Sequence, residues 1–423
     1  MFKTLKTDFL NFYKECREQD FGFYCVAAYL IFSYVRPQEI FPSLKILPWT
    51  QLCIMCGLVF AIVKSTFKIG FAHVLVFIYF LVCLASAYFS VYPEVSFRGE
   101  WDIVLIWLME MAFITSCVNN LTKFRLMLII FFIALFKISF YGAREWISRG
   151  FGFRDYGISG PSGYFNNSGE LSLIMAMLAV MSFAFICENK QARKMYYLLP
   201  ITALMTVIAA SSRGSQLALV IGTVLYFLIK GRLSLKYLCY GALIAWLGYM
   251  ALPDKQKERF SSSGDDTTSR ARLMYWSSGV DMVKEYPFLG IGFRAFPEYF
   301  HNYYAPYAPD DLRRIANKRE VAHNTLIEVS SENGLIGLVI YLWMYFYVFS
   351  LNRASRRLVE KLGRPELNVW ANTAFGFNIA NIVFLIGAFF MSVSLYPYIY
   401  FMLAFSFALK YSLQKELDGI IRR

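Results

Sequence analysis

Six side chains could carry chemistry by type and setting: Arg213, Arg270, Arg272, Arg294, His323 and Asn324. Arg213 lies in LMTVIAASSRGSQLALVIG, among Ala209, Ala210, Ser211, Ser212, Gly214 and Ser215. Small neighbours let backbone amides and a guanidinium converge on an anion, and the guanidinium can fork onto phosphate oxygens. The same arginine could instead snorkel to lipid headgroups. Arg270 and Arg272 open TTSRARLMYWSSGVDMV, and Arg294 follows in GIGFRAF. Several cations on one loop could neutralise a diphosphate, or form a solvated face. His323 stands in REVAHNTLIEVSSENGLIGLVIYL. With an ordinary pKa of about 6.5 it can hold or accept a proton at neutral pH, or serve structure alone. Asn324 beside it suits a helix cap, and Asn333-Gly334 suits close packing or a bend.

Other chemistries find less support. His73 and His301 complete the three histidines and are weaker candidates. The G-x-G of GIGF lacks the strand-before, helix-after setting of a dinucleotide site and marks a turn. There is no P-loop, zinc signature or Asp-x-Asp. The expectation is therefore a mechanism without metal or other cofactor, with Glu39, Glu94 and Glu100 keeping a cation open. Cys53 and Cys56 form a C-x-x-C inside the apolar QLCIMCGLVF, without a second ligand pair, which favours buried small residues over metal or redox chemistry. The net charge of +13 resides mainly in loops. Membrane surface and phosphate-bearing lipid are the expected partners, and nucleic acid is not.

The elements that must position these residues are membrane helices. Of 423 residues, 57% are hydrophobic and 17% charged, which excludes an ordinary soluble chain. Apolar runs predict about 12 spans, near 21–35, 49–63, 71–90, 102–118, 125–142, 170–187, 195–210, 214–229, 237–252, 324–350, 371–392 and 395–410. The first twenty residues lack a cleavable signal pattern and read as a cytoplasmic lead-in. Placing the N-terminus inside puts Lys64, Lys68, Lys123, Arg125, Lys190, Arg193, Lys194, Lys230, Arg232, Lys236, Arg353, Arg356 and Arg357 inside, with fewer cations on the short outside loops. That bias predicts both termini in the cytoplasm. The chain then divides into nine N-terminal spans (1–252), a large periplasmic loop (253–322) and three C-terminal spans (323–423). Within the loop, Leu273, Trp276, Val280 and Val283 recur at helical spacing and predict an amphipathic helix.

The ordered set SSRGS, SRARLMYW with EYPFLGIGF, then AHNTLIEVSSENGLIGL resembles the O-antigen ligase-like superfamily of O-antigen ligases, Wzy-type polymerases and bacterial O-oligosaccharyltransferases. The likeness is most specific between about 160 and 350, and YVRPQEIFP is similar to the exosortase-associated branch. It implies an all-α, GT-C-like polytopic membrane fold in the bacterial inner membrane and an undecaprenyl-diphosphate-linked glycan donor used in the periplasm without a metal. Arg213 and Arg272 match the family's diphosphate-engaging arginines, with Arg270 a neighbour that alignment could exchange for Arg272. His323 matches its essential histidine. The implied activity is that of a glycosyltransferase, probing three alternatives: a ligase to lipid A-core or another glycan acceptor, a repeat-unit polymerase or protein O-oligosaccharyltransferase, and a non-enzymatic transporter of lipid-linked glycan. A transporter would place ionisable groups near the bilayer midplane, where Lys137 and Glu110 are the main charges. The candidate residues gather instead at the outer boundary, which favours an enzyme, with ligase ahead of polymerase.

Overall fold

The computed structural model describes residues 2–152, 157–161, 165–189, 193–231, 250, 257 and 267–421. The ninth expected span and the first part of the large loop lie outside the described residues, apart from 250 and 257. Among the described residues every regular element is helical. The longer ones are α1 (Phe2–Arg17), α2 (Phe21–Leu30), α3 (Trp49–Val63), α4 (Phe71–Tyr88), α5 (Trp101–Cys117), α6 (Leu121–Ser148), α7 (Ser168–Cys187), α8 (Leu198–Ala209), α9 (Arg213–Ile229), α10 (Thr267–Glu285), α11 (Phe296–Tyr303), α12 (Thr325–Leu362), α13 (Asn368–Ala388) and α14 (Tyr398–Ile421).

Among the described residues, five helices are long and apolar enough to cross a membrane: α4, α6, α7, α12, and α13 with its lead-in from Pro365. Four shorter apolar helices accompany them at α2, α3, α8 and α9. The chain is a multi-pass membrane protein. α7 is apolar all round and buried on every face from Leu171 to Ser182, as expected for a helix enclosed by other helices. Its start is capped by the Asn167 side chain, which accepts from the Gly169 amide.

One end of the bundle is tied by ion pairs. Lys123 Nζ lies 2.6 Å from Asp20, the residue that caps α2, and Arg125 and Arg193 pair with Glu15 and Asp8 of α1. Lys137, one of the charges inside the expected spans, donates to the Val35 carbonyl at 2.6 Å.

The other end carries a second, smaller core outside the main one, built from Ala271, Tyr275 and Met282 of α10 with Phe296, Phe300 and Leu312. The helix expected from Leu273, Trp276, Val280 and Val283 is present, but its buried stripe is a different one. Ala271, Tyr275, Ser278, Gly279 and Met282 face inward, while Leu273 and Val280 are exposed. The reason is close packing: Gly279 brings α10 against Ile327 and Phe296, which a larger residue would prevent.

The two cores meet where α12 breaks. Gly334 has φ 67° and ψ −174°, interrupting the helix between Asn333 and Leu335. A break deep in an apolar protein exposes backbone groups that need partners. The segment Pro287–Phe293 supplies them. The Leu335 amide donates to the Pro287 carbonyl at 2.8 Å, the Ile291 amide to Ser331 at 2.8 Å and the Gly292 amide to Glu332 at 3.2 Å. The GIGF stretch is thus a turn that plugs the helix, in line with its sequence.

A Cβ at residue 334 would meet the Phe288 carbonyl oxygen at 2.1 Å, whereas one at Gly363, also left-handed, would meet nothing within 4 Å. Gly363→Ala is therefore expected to cost only the backbone strain, about 1 kcal/mol, and Gly334→Ala several-fold more. Thermal unfolding of the two variants in detergent measures the difference; equal loss would refute the plug.

Candidate active site

The short turn after α13, Phe389–Val393, touches all three elements that carry the principal candidates. Thr325, the first residue of α12, donates its hydroxyl to the Met391 carbonyl at 2.6 Å and accepts from the Val393 amide at 2.9 Å. Trp276 of α10 packs edge-on to Phe389, ring centroids 5.1 Å apart, and donates its indole N–H to the Ala322 carbonyl at 3.1 Å. A Cβ on Gly214 would come within 2.8 Å of Phe390, so the start of α9 lies directly against the same turn. The start of α7 joins them through Gly169 and Met391.

Each candidate is next to one of these contacts. Arg213 is the first residue of α9, following the left-handed Ser211 (φ 55°). The first amides of a helix have no helical acceptor, so the Arg213 turn presents donors together with a guanidinium. Arg272 sits one helical turn before Trp276 and shares its face. His323 adjoins both the Ala322 carbonyl held by Trp276 and the Thr325 clamp. Asn324 acts as the expected cap, accepting from the Leu326 and Ile327 amides at 2.9 and 3.2 Å.

His323 adopts φ 52°, a left-handed conformation that is uncommon outside glycine and concentrates at functional sites. Its ring lies 6.1 Å from that of Tyr275, and its Nε2 is 3.8 Å from Glu320. Burial and then the positive charge of Arg272 push its pKa down to about 4. About a third of the side chain is exposed, so solvent tempers the shift. The imidazole is accordingly neutral at neutral pH, with a nitrogen lone pair available to accept a proton.

Arg270 and Arg294 pair with carboxylates. Arg270 pairs with Asp311 at 2.6 Å at the surface, which separates it from Arg272. Arg294, also left-handed, binds Glu100 at 2.8 Å and faces the buried Glu328 at 4.0 Å. Glu328 in turn accepts from Ser394 at 2.8 Å. Of the weaker histidines, His73 is buried against Thr115 at 2.9 Å, away from this turn. The sequence marks a short turn between the last two expected spans, a feature that favours a ligase, but assigns neither that turn nor Thr325 to the site. The available signal was the paired aromatics followed by MSVSLYP between two apolar runs, which marks a turn.

The comparisons bear on the same stretch. Residues 198–342 match the family model described as O-antigen ligase, a segment holding Arg213, Arg270, Arg272, Arg294, His323 and Asn324. Over that segment, about a third of its length, the chain is similar to the O-antigen ligase family. Members of this family are glycosyltransferase-like ligases and polymerases, which act on lipid-linked glycans and their acceptors at membranes. No curated protein matches the chain.

Because the folded pKa of His323 lies below its usual value, proton binding disfavours the folded site. The neutral form is complete above pH 6.5 and is lost as pH falls through about 4. Diethyl pyrocarbonate, which acylates neutral imidazole, should therefore modify His323 at pH 5.5 nearly as fast as at pH 7. In Arg272→Gln the fall should move to higher pH. Peptide mass spectrometry reads both, and a wild-type midpoint near 6.5 would contradict the assignment.

Proposed function

We propose that the protein is a glycosyltransferase of the bacterial inner membrane that moves an undecaprenyl-diphosphate-linked glycan onto an acceptor sugar hydroxyl at the periplasmic face, as an O-antigen ligase acting on lipid A-core. The supporting observation is the convergence of the Arg213, Arg272 and His323 segments on the Phe389–Val393 turn. The proposed topology keeps twelve spans in a GT-C-like arrangement, both termini cytoplasmic. Residues 1–252 and 323–423 form the membrane parts, and 253–322 the periplasmic loop. It agrees with the gathering of Lys123, Arg125 and Arg193 at the opposite end of the bundle from His323.

In this reading the acceptor oxygen forms a bond to the anomeric carbon as the bond from that carbon to the diphosphate oxygen breaks. His323 takes the hydroxyl proton, and direct attack inverts the anomeric centre. Undecaprenyl diphosphate leaves with growing negative charge, which Arg213 and Arg272 stabilise in place of a metal ion. Arg294, between Glu100 and Glu328, and Asn324, occupied as a cap, contribute by holding the loop and the His323 turn. Arg270 lies at the rim with Asp311. A Wzy-type polymerase or O-oligosaccharyltransferase would share this chemistry and differ in acceptor. A transporter is the less suited reading, because the candidate residues collect at helix ends and not midway along them.

Separating proton chemistry from charge recognition tests the roles. His323→Ala should slow transfer by ~10² to 10⁴-fold with donor binding kept. Arg213→Lys should lose most activity and also weaken donor binding, since an ammonium cannot reproduce a forked contact. Purified variants that match wild type in melting temperature allow both to be measured. Near-normal turnover of His323→Ala across pH 6 to 8 would remove it as the base.

A further inference from the structure

At the end of the bundle opposite His323, a cavity of about 340 Å³ opens between the last turns of α7, α9 and α12 and the first turns of α13. Its polar lining is Glu188, Lys230, Arg356, Glu360, Asn368 and Asn372, around the ring of Phe375. Lys230 Nζ and the Arg356 guanidinium lie 5.4 and 5.8 Å from the centre of that ring, so one buried aromatic side chain anchors two cations. Glu188 approaches Lys230 only to 3.9 Å, a Coulombic contact without a short hydrogen bond. Asn372 forms the floor, its amide within reach of the Tyr226 hydroxyl at 3.3 Å.

The depth of the cavity is informative. α9 runs for 17 residues from Arg213 to Ile229, which lines the cavity. At 1.5 Å per residue that is about 25 Å, close to the ~30 Å of a bilayer's hydrocarbon. If Arg213 stands at one headgroup layer, the cavity opens at the other. Its charges are of both signs: two cations and two carboxylates. A purely anionic headgroup would meet repulsion from Glu188 and Glu360. A choline headgroup has no N–H to give those carboxylates.

We infer that this cavity binds the phosphoethanolamine headgroup of a phospholipid, its phosphate on Lys230 and Arg356 and its ammonium on Glu188 and Glu360. The acyl chains leave along Ile229 and Ala371. The site is independent of the transfer reaction, and its chemistry is charge-assisted hydrogen bonding to both ends of a zwitterion.

The test uses the full-length protein, purified and delipidated in detergent, with native mass spectrometry of bound lipid. Dimyristoyl phosphatidylethanolamine, phosphatidylcholine and phosphatidylglycerol are offered separately, with inorganic phosphate as a fourth arm. The ethanolamine lipid should bind about tenfold tighter than the other two. Arg356→Ala should abolish that binding, and Glu360→Gln should reduce it to the level of the choline lipid. Both residues are exposed on α12, and the isosteric Glu360→Gln carries the test should Arg356→Ala fold poorly. Equal binding of all three lipids, stronger binding of phosphatidylglycerol, competition by inorganic phosphate at similar concentration, or indifference to Glu360→Gln would each overturn the inference.

Discussion

The hydroxyl of Thr325 is fully buried, gives its proton to the Met391 carbonyl and takes one from the Val393 amide. Both backbone groups belong to a turn that no helix satisfies, in surroundings where an unmatched polar group costs about 1–3 kcal/mol. The clamp therefore fixes the start of α12 to the end of α13, and with it the two residues ahead of Thr325. Asn324 is spent on capping the helix, and His323 before it adopts a left-handed conformation. Around the same turn, Phe389 receives Trp276 and Phe390 receives the glycine that follows Arg213. Three segments far apart in sequence thus share one anchor.

The plug at Gly334 serves the same end from the other side. The Pro287–Phe293 segment satisfies the broken backbone of α12, and by doing so it fixes α10 and α11 over the end of the bundle that carries His323. Arg294 extends this fastening with its bonds to Glu100 and toward Glu328. The cations of the loop are consequently not equivalent. Arg270 and Arg294 are paired with Asp311, Glu100 and Glu328, while burial, and after it the charge of Arg272, lowers the pKa of His323 to about 4.

Much of this was readable from residues alone. Apolar runs identify membrane helices because nothing else needs that length of hydrocarbon, and Asn324 and Asn333-Gly334 announce a cap and a break by local chemistry. The buried face of α10 was not readable: in a helix with lipid or solvent on one side and protein on the other, small residues and Tyr275 pack inward while Leu273 faces out. Periodicity shows that a helix has faces, and not which medium each face meets. The role of the Phe389–Val393 turn was equally hidden, since its importance lies in long-range contacts and not in any motif. Arg270 and Arg272, two residues apart, became distinguishable only once Asp311 was seen beside the first.

The central claim is that these converging residues transfer a glycan from a diphosphate-linked lipid, and a single reaction tests it most directly. Purified protein is incubated in excess chelator with a defined undecaprenyl-diphosphate glycan and a separate lipid A-core acceptor. The account predicts a glycan-capped acceptor and released undecaprenyl diphosphate in equal amounts. A lengthened donor with the acceptor untouched would contradict the ligase assignment, and a donor left intact would contradict the account as a whole.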